Sequence, residues 1–171
     1  QLPQQSVLCG WSLGGMLAVQ LAHRYPEKVA GIITLGSNLF FTQDADWPGM
    51  PVSDYEQFCQ RFAVQPEKTW RRFLQLQLKG DNDAVVKMPV LEMLADYSAL
   101  DPATAGRMLS LLGAIDNRAL FSALAVPGLH LLCENDAITP PTIAGLLRNI
   151  NPLQSVQVLP GCGHALPLSQ P

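Results

Sequence analysis

The chain has 171 residues, of which 48% are hydrophobic and 15% are charged, and its formal net charge at pH 7 is −3. This composition predicts one globular domain with a hydrophobic core. No apolar run reaches the roughly 18 residues of a membrane-spanning helix, and the N-terminus lacks the basic and apolar segments of a secretion signal. The chain has no strongly basic net charge, no phosphate-binding loop and no cluster of metal-ligand residues, so we expect it to bind no nucleic acid, metal or cofactor.

Short apolar runs followed by helical stretches occur at both ends of the chain. We predict strands at 6–9, 29–35, 129–133 and 155–159, with helices from the first strand to about Tyr25 and over 140–149. Strands that alternate with helices indicate an α/β fold with a parallel sheet covered on both faces. The cysteines at 9, 59, 133 and 162 have no C-x-x-C spacing, and Cys9 and Cys133 fall in strands predicted to be buried. This pattern indicates free thiols in a cytoplasmic protein.

The middle of the chain has a different pattern. Residues 44–124 are predicted to form four helices, at 53–63, 66–79, 89–99 and 102–114, with Pro66, Pro89 and Pro102 each in a first helical turn. A helical insertion between two strands of a parallel sheet is typical of a cap that covers an active site and excludes water. We therefore divide the chain into core residues 1–43, a cap over 44–124, and core residues 125–171.

The sequence Gly10-Trp-Ser-Leu-Gly14 follows the first predicted strand, where the chain turns into a helix. In a G-x-S-x-G motif at such a turn, the serine is held in a strained, exposed position. We therefore predict Ser12 as a nucleophile, with Gly10 and Gly14 giving the backbone room to turn. The N–H group of Leu13, at the helix N-terminus, is predicted to stabilise developing negative charge. A glycine-rich turn with an incidental serine is the alternative.

A serine nucleophile needs a base, usually a histidine, and the chain has three. His23 lies about three turns along the helix that follows Ser12 and is predicted to be a surface residue. His130 lies in a predicted strand and is interpreted as structural. His164 lies on a glycine-rich loop after the last strand, where an α/β-hydrolase holds its base, so we predict His164 as the base.

The acid that orients the base should lie between Ser12 and His164 in the sequence. Asp136 meets this condition, since it follows the strand at 129–133 and precedes a helix that starts near Pro140. Glu134 is the alternative acid, two residues closer to the strand, and a helix-capping or turn aspartate is the structural alternative for Asp136. The strand at 29–35 is followed by no carboxylate until Asp44, so we favour Asp136.

The second cap helix has two chemically different faces. At about 100° per residue, Lys68, Arg72 and Lys79 lie on one side. The opposite side carries Trp70, Phe73, Leu74 and Gln77. An ordinary amphipathic helix, with one face in solvent and the other against the core, explains this pattern. The more specific hypothesis is that the basic face is a docking surface and that the apolar face lines a substrate tunnel, with Gln77 as a polar contact.

The predicted nucleophile strand begins at about residue 6, although several strands usually precede it in an α/β-hydrolase. We therefore expect the chain to be the C-terminal portion of a larger hydrolase, without the loop that supplies the second oxyanion donor. We also expect no terminal helix after the histidine loop. The strand at 6–9 would then expose a long edge to pairing, and a second chain could cover it.

With these residues in place, the chain resembles the pimeloyl-[acyl-carrier protein] methyl ester esterases of biotin synthesis. These are α/β-hydrolases with a four-helix cap. The resemblance extends from Gly10 to Pro171 and is carried by the segments at 10–15, 41–49, 72–77 and 164–171. The Asp-Trp-Pro-Gly and Phe-Leu-x-Leu-Gln pieces are more specific than the serine motif, which many hydrolases share.

The resemblance implies a nucleophile, an acid and a base at Ser12, Asp136 and His164. It implies substrate contacts at Leu13, Phe73, Leu74, Gln75, Leu76 and Gln77. Family members bind the acidic surface of the carrier protein through cap arginines, and Lys68 and Arg72 fall at positions of that kind. Val85 and Pro89 stand where further basic residues would be expected, so the docking patch is thinner.

We therefore expect a carboxylesterase that hydrolyses the methyl ester of a pimeloyl chain on its acyl-carrier protein. A general short-acyl carboxylesterase with the same three residues is one alternative. An inactive hydrolase fragment that needs a partner chain is the other, and the missing oxyanion loop and the exposed strand edge motivate it.

Overall fold

The computed structural model describes residues 2–169 and has a four-stranded parallel sheet at its centre. The strands are β1 (Ser6–Trp11), β2 (Val29–Leu35), β3 (Gly128–Cys133) and β4 (Gln154–Leu159), and they lie in the order β1-β2-β3-β4. All three pairs of neighbours are parallel. The predicted parallel α/β sheet is therefore confirmed, and the carboxyl ends of the strands meet at one edge.

Two helices pack on the sheet and close its main core. Helix α1 (Leu13–Arg24) packs on β1 and β2, and α7 (Ile143–Ile150) packs on β4. Their inward side chains join those of the strands in one cluster that includes Val19, Ile32, Leu132, Ile143 and Leu147. These side chains are nearly inaccessible to solvent, so burial of apolar surface stabilises this part of the fold.

Five helices and one 3₁₀ turn lie between β2 and β3. They are α2 (Val52–Val64), α3 (Pro66–Gln77), α4 (Ala84–Leu94), the 3₁₀ turn (Tyr97–Ala99), α5 (Pro102–Ala114) and α6 (Arg118–Ser122). The predicted helices at 53–63 and 102–114 are confirmed within a residue. A further single turn, α8 (Leu166–Ser169), follows the histidine loop, where the sequence analysis expected no helix.

The predicted helices at 89–99 and 66–79 are wrong in their bounds. Helix α4 ends at Leu94 and holds Pro89 inside it, although a proline removes one hydrogen bond from a helix interior. Leu91 is buried in the same cluster as Leu74 and Leu78, and such tertiary packing favours a helix that continues through the proline. Helix α3 ends at Gln77, so Lys79 lies beyond the helix.

Both ends of the predicted cap contact the main core. Trp47, Phe121 and Leu124 belong to the same buried cluster as the sheet residues. The Arg118 guanidinium bonds to Asp44 at 3.0 Å and lies 4.5 Å from the centre of the Phe40 ring. These contacts anchor both ends of the insertion on the core, and its assignment to residues 44–124 stays a prediction.

Strand β1 lies at the edge of the sheet. Within residues 2–169 no strand pairs with its outer side, and Val7 on this strand is 59% exposed. Cys9 is exposed as well, so its predicted burial is wrong, whereas Cys133 is buried. The reason is that side chains alternate along a strand, and those of Val7 and Cys9 point to a face that the described residues leave uncovered.

His130 is enclosed in the core, with both ring nitrogens bonded. Its Nδ1 lies 2.7 Å from the Thr34 hydroxyl and its Nε2 lies 3.1 Å from Gln154 Oε1. The Gln154 amide nitrogen donates to the Val126 carbonyl, so the Gln154 side-chain oxygen accepts a hydrogen bond from His130 Nε2. His130 Nδ1 then carries no proton and accepts the hydrogen bond of the Thr34 hydroxyl. This arrangement fits a neutral imidazole. Burial lowers the pKa of His130 below its ordinary value of 6.5.

This lowered pKa predicts a loss of stability in mild acid. Below pH 6.5 the unfolded chain takes up a proton that the folded His130 resists, so the free energy of unfolding falls as the pH falls. The contribution has a slope of up to about 1.4 kcal/mol per pH unit. Urea unfolding between pH 7.5 and 5.5 measures it, and His130→Gln is expected to flatten the slope. His23→Gln, at an exposed position, is the control, and equal slopes in all three proteins would contradict the prediction.

Candidate active site

Ser12 lies at the junction of β1 and α1 in a conformation that few non-glycine residues adopt. Its φ is +53° and its ψ is −120°. Such a backbone costs about 1–3 kcal/mol and persists only where its surroundings hold it. The Ser12 N–H donates to the Leu35 carbonyl at 2.9 Å, and the Ser37 hydroxyl donates to the Ser12 carbonyl at 2.8 Å. The end of β2 and the residues after it therefore hold the turn in place.

The glycines around Ser12 do not contribute equally. A Cβ added at Gly10 would overlap the backbone of Gly14, and one added at Gly15 would lie 2.6 Å from the Ser37 side chain. A Cβ at Gly14 would meet no atom within 4 Å. The room predicted for Gly10 is confirmed, and the same prediction for Gly14 is wrong, since the close approach falls at Gly15.

Asp136 and His164 form a buried pair. His164 Nδ1 lies 2.8 Å from Asp136 Oδ2, and the two side chains are 1% and 0% exposed. The other carboxylate oxygen of Asp136 accepts the backbone N–H groups of Ile138 and Thr139, both at 2.8 Å. Both carboxylate oxygens are thus bonded, and Asp136 fixes the orientation of the imidazole.

Glu134, the alternative acid, faces elsewhere. It is exposed, and its carboxylate accepts the Gly161 N–H at 3.1 Å. Of the two candidate acids, only Asp136 is bonded to His164 in the structure.

His164 lies against the residues that form the serine turn. The Trp11 indole N–H donates to the His164 carbonyl at 2.8 Å, and the two rings lie 5.8 Å apart. Gly36 has a φ of +50°, and a Cβ there would come within 3.3 Å of His164 Nδ1. The second ring nitrogen, Nε2, has no hydrogen-bond partner among residues 2–169. The ring thus lies against Trp11, the residue before Ser12, and an imidazole nitrogen without a partner is chemically suited to accept a proton.

The sequence model of the Alpha/beta hydrolase family matches residues 1–171. The chain is also 35% identical to the pimeloyl-[acyl-carrier protein] methyl ester esterase of Nitrosomonas europaea, over 100% of this chain and 69% of that protein. The chain belongs to the alpha/beta hydrolase family. It is 41% identical to the biotin biosynthesis bifunctional protein BioHC of Cellvibrio japonicus, over 100% of this chain and 34% of that protein. The chain thus spans about a third of the bifunctional relative and about two thirds of the esterase.

Solved structures show the same fold. A bromoperoxidase from Bacillus anthracis superposes with a TM-score of 0.85 at 17% identity, over 98% of this chain and 63% of that chain. An esterase from Exiguobacterium antarcticum superposes with a TM-score of 0.84 at 17% identity, over 95% of this chain and 61% of that chain. At this identity the similarity establishes the α/β-hydrolase fold.

The substrate contacts implied by the resemblance to the pimeloyl-[acyl-carrier protein] esterases fall into two groups. Leu13, Phe73 and Leu76 share one apolar cluster, in which Met16, Phe41, Ile115 and Ile138 are buried. Leu74 packs instead in the cluster that contains Leu78 and Leu91, and Gln75 is exposed. Gln77 is buried, its side-chain oxygen has no partner among residues 2–169, and its carbonyl accepts the Ala165 N–H at 3.1 Å. The structure therefore brings together three of the six implied positions.

Lys68 and Arg72, the implied docking residues, are exposed on α3. Within the described part of the chain, no carboxylate oxygen lies within 4.0 Å of either cation, whereas their neighbour Arg71 pairs with Glu67 at 3.1 Å. The inward side of α3 holds Leu74 and Gln77, opposite the exposed Lys68 and Arg72, so the apolar face and these two basic positions are confirmed. The placement of Lys79 on the basic face is wrong, because the helix ends at Gln77.

Three residues beside the candidate site were not predicted from the sequence. Trp11 lies inside the serine motif, but no local pattern shows that its indole reaches the histidine loop. Phe41 and Ile138 line the apolar cluster from separate parts of the chain. Two sequence features could have indicated them: Phe41 lies close to the Asp-Trp-Pro-Gly segment, and Ile138 lies two residues after Asp136.

Within residues 2–169, no group of three or more His, Cys, Asp and Glu side chains is placed to hold a metal ion. No helix in that range is long and apolar enough to cross a membrane.

Proposed function

We propose that this chain carries the catalytic residues of a carboxylesterase that hydrolyses the methyl ester of a pimeloyl chain on its acyl-carrier protein. The observation that supports it is the buried Asp136–His164 pair at 2.8 Å, with His164 Nε2 unbonded beside the serine turn. The relatives that bear this name match the whole chain, including the segments that hold all three residues.

The first half of the proposed reaction forms an acyl-enzyme. Ser12 Oγ attacks the ester carbonyl carbon, and His164 Nε2 accepts the hydroxyl proton. The Leu13 N–H group stabilises the negative charge that develops on the carbonyl oxygen. When the tetrahedral intermediate collapses, the carbon–oxygen bond to the methoxy group breaks. His164 returns the proton to this leaving group, and methanol departs.

The second half releases the acid. His164 removes a proton from a water molecule, which attacks the acyl-enzyme carbonyl and forms a second tetrahedral intermediate. The bond to Ser12 Oγ then breaks, and Ser12 recovers its proton from His164. The net reaction consumes one water and produces one methanol, one carboxylate and one proton, so it requires no cofactor.

The cap supplies the proposed specificity. The apolar cluster of Leu13, Phe73 and Leu76 suits the methylene chain of the acyl group, because burial of apolar surface drives the binding. Lys68 and Arg72 lie on the exposed side of the same helix without carboxylate partners in residues 2–169. They are free to contact an acidic carrier protein while the acyl chain passes to the inward side.

Charge reversal at Arg72 tests this assignment. Arg72→Glu is expected to lower kcat/KM for the carrier-bound methyl ester by about tenfold, since a charge at the rim of an interface acts mainly on the association rate. Hydrolysis of a small p-nitrophenyl ester is expected to stay within about twofold of the original chain. Steady-state kinetics on both esters, at two salt concentrations, measure the effect.

Arg107→Glu is the control, because it makes the same charge change at another exposed position of the cap. Equal activity of the original chain on both esters, with no effect of Arg72→Glu, would instead support the general short-acyl esterase. The third possibility is an inactive hydrolase fragment that needs a partner chain. It is favoured because no strand within residues 2–169 pairs with the outer side of β1, where Val7 is 59% exposed. Covalent labelling of the original chain by a fluorophosphonate probe separates this possibility from an active esterase.

A further inference from the structure

Asp81 is a buried carboxylate that the proposed reaction does not use. It lies in the cap turn, which we define as residues 78–83 between α3 and α4. Its side chain is 0% exposed. A buried carboxylate is costly unless it is paired and hydrogen-bonded, so its partners show what it does in the fold.

One oxygen of Asp81 is bonded within the cap. Oδ1 accepts the Lys87 ammonium at 2.7 Å and the Asp83 N–H at 2.9 Å. Burial by itself raises the pKa of Asp81, but the hydrogen bonds from Lys87, Ser169 and two backbone groups outweigh it and lower the pKa. Asp81 is therefore ionised at neutral pH, with Lys87 as its counterion.

The other oxygen reaches out of the cap to the base loop, which we define as residues 160–165. Oδ2 accepts the N–H of Gly163, at 3.4 Å, and the hydroxyl of Ser169. Gly163 immediately precedes His164, and Ser169 lies on the helical turn that follows the base loop. One carboxylate thus bonds to the chain on both sides of His164.

The backbones of the cap turn and the base loop also approach closely. The Asn82 N–H donates to the Gly161 carbonyl at 3.1 Å. A Cβ added at Gly163 would lie 3.0 Å from the Lys79 carbonyl oxygen. The Asn135 amide, next to Asp136, donates to the Gly80 carbonyl at 2.9 Å. The cap turn therefore contacts the loops that hold both the base and the acid.

We propose that Asp81 is a positioning residue: its carboxylate holds the base loop through Gly163 and Ser169 and so fixes His164 relative to Ser12. This inference rests on the proposed role of His164 as the base. It couples the cap to the catalytic centre, because the carboxylate that orders the cap turn also orders the loop that carries the histidine.

Asp81→Asn tests the proposal, because the amide has nearly the same size but only one acceptor oxygen. If that oxygen keeps the Lys87 and Asp83 donors, the amide nitrogen faces the Gly163 N–H and the Ser169 hydroxyl. We expect kcat for a small ester to fall by about 10- to 100-fold, since a misplacement of about 1 Å costs up to about 100-fold in rate. KM is expected to stay within about twofold. A merely structural defect would change KM as well, whereas the thermal midpoint falls in either case because Lys87 loses its charged partner.

Asp83→Asn is the matched control. Asp83 lies on the same turn and also pairs with Lys87, at 3.6 Å, but its side chain is 69% exposed and its carboxylate makes no bond to the base loop. The kcat of Asp83→Asn should equal that of the original chain. Ser169→Ala is the milder second variant, which removes one bond to Asp81 and is expected to lower kcat by about threefold to tenfold. If Asp81→Asn does not fold, the Ser169→Ala result decides the question.

Amide hydrogen exchange provides a readout that does not depend on turnover. We expect faster exchange at Gly163 and Ala165 in Asp81→Asn, with unchanged exchange in the sheet. If the original chain hydrolyses no ester, the proposed function fails, and the exchange rates still decide whether Asp81 holds the loop. Unchanged exchange in the base loop, or an unchanged kcat in an active chain, would overturn the inference.

Discussion

Ser12→Ala is expected to lower kcat for ester hydrolysis by about 10⁴- to 10⁶-fold, because no other group can form the acyl-enzyme. Alanine keeps the Cβ of serine, so the strained backbone at φ +53° and the thermal midpoint should stay the same. Turnover of a methyl ester and covalent labelling with a fluorophosphonate probe measure the effect. The original chain should be labelled, and Ser12→Ala should not.

Ser110→Ala is the control for this experiment, since it removes a hydroxyl from an exposed position on α5. Labelling that survives in Ser12→Ala would place the nucleophile at another residue. A folded original chain without labelling would show that the three residues do not act in this chain alone. The search should then turn to a second chain that pairs with the outer side of β1.

Asp136→Asn is expected to lower kcat by about 10⁴-fold. The Ile138 and Thr139 N–H groups, both at 2.8 Å, require an oxygen at the Oδ1 position. The new amide nitrogen is therefore forced toward His164 Nδ1. Because that nitrogen is then a donor, the imidazole must carry its own proton on Nε2, where it cannot accept the proton of Ser12. The pH dependence of kcat and the rate of acyl-enzyme formation measure the loss.

Glu134→Gln is the matched control, since it makes the same carboxylate-to-amide change two residues away. Glu134 bonds to Gly161 and not to His164. We expect its kcat to stay within about threefold of the original chain. The reverse pattern, with an active Asp136→Asn and an inactive Glu134→Gln, would assign the acid to Glu134.

The parts of the fold that depend on local sequence were predicted well. Strand β2 and helix α5 have the bounds expected from hydrophobic pattern and proline position. The pairing of Asp136 with His164 also followed from local reasoning. Both residues were placed directly after neighbouring parallel strands, whose carboxyl ends must meet at one edge of the sheet. The roles of these residues in catalysis stay a prediction.

The errors came from contacts between distant parts of the chain. Pro89 was expected to start a helix, but the burial of Leu91 against α3 places it inside α4. Cys9 was expected to be buried, and its exposure depends on what covers the outer face of β1. The bond from Asp81 to the base loop joins residues 82 positions apart, and no sequence period indicates such a contact. The sequence shows which residues have useful chemistry, whereas tertiary packing decides which of them meet.

The conformation of Ser12 has a consequence for directed evolution. Glycine adopts a positive φ without the steric cost that serine has there, and that cost is about 1–3 kcal/mol. The free energy of unfolding of small proteins is only about 5–15 kcal/mol, so the stability gained by glycine at position 12 is a large share of it. A library selected only for survival at high temperature would enrich glycine at this position and lose the hydroxyl with it. Selection for heat resistance and selection for turnover favour different residues at this position, so a useful screen must apply both at once.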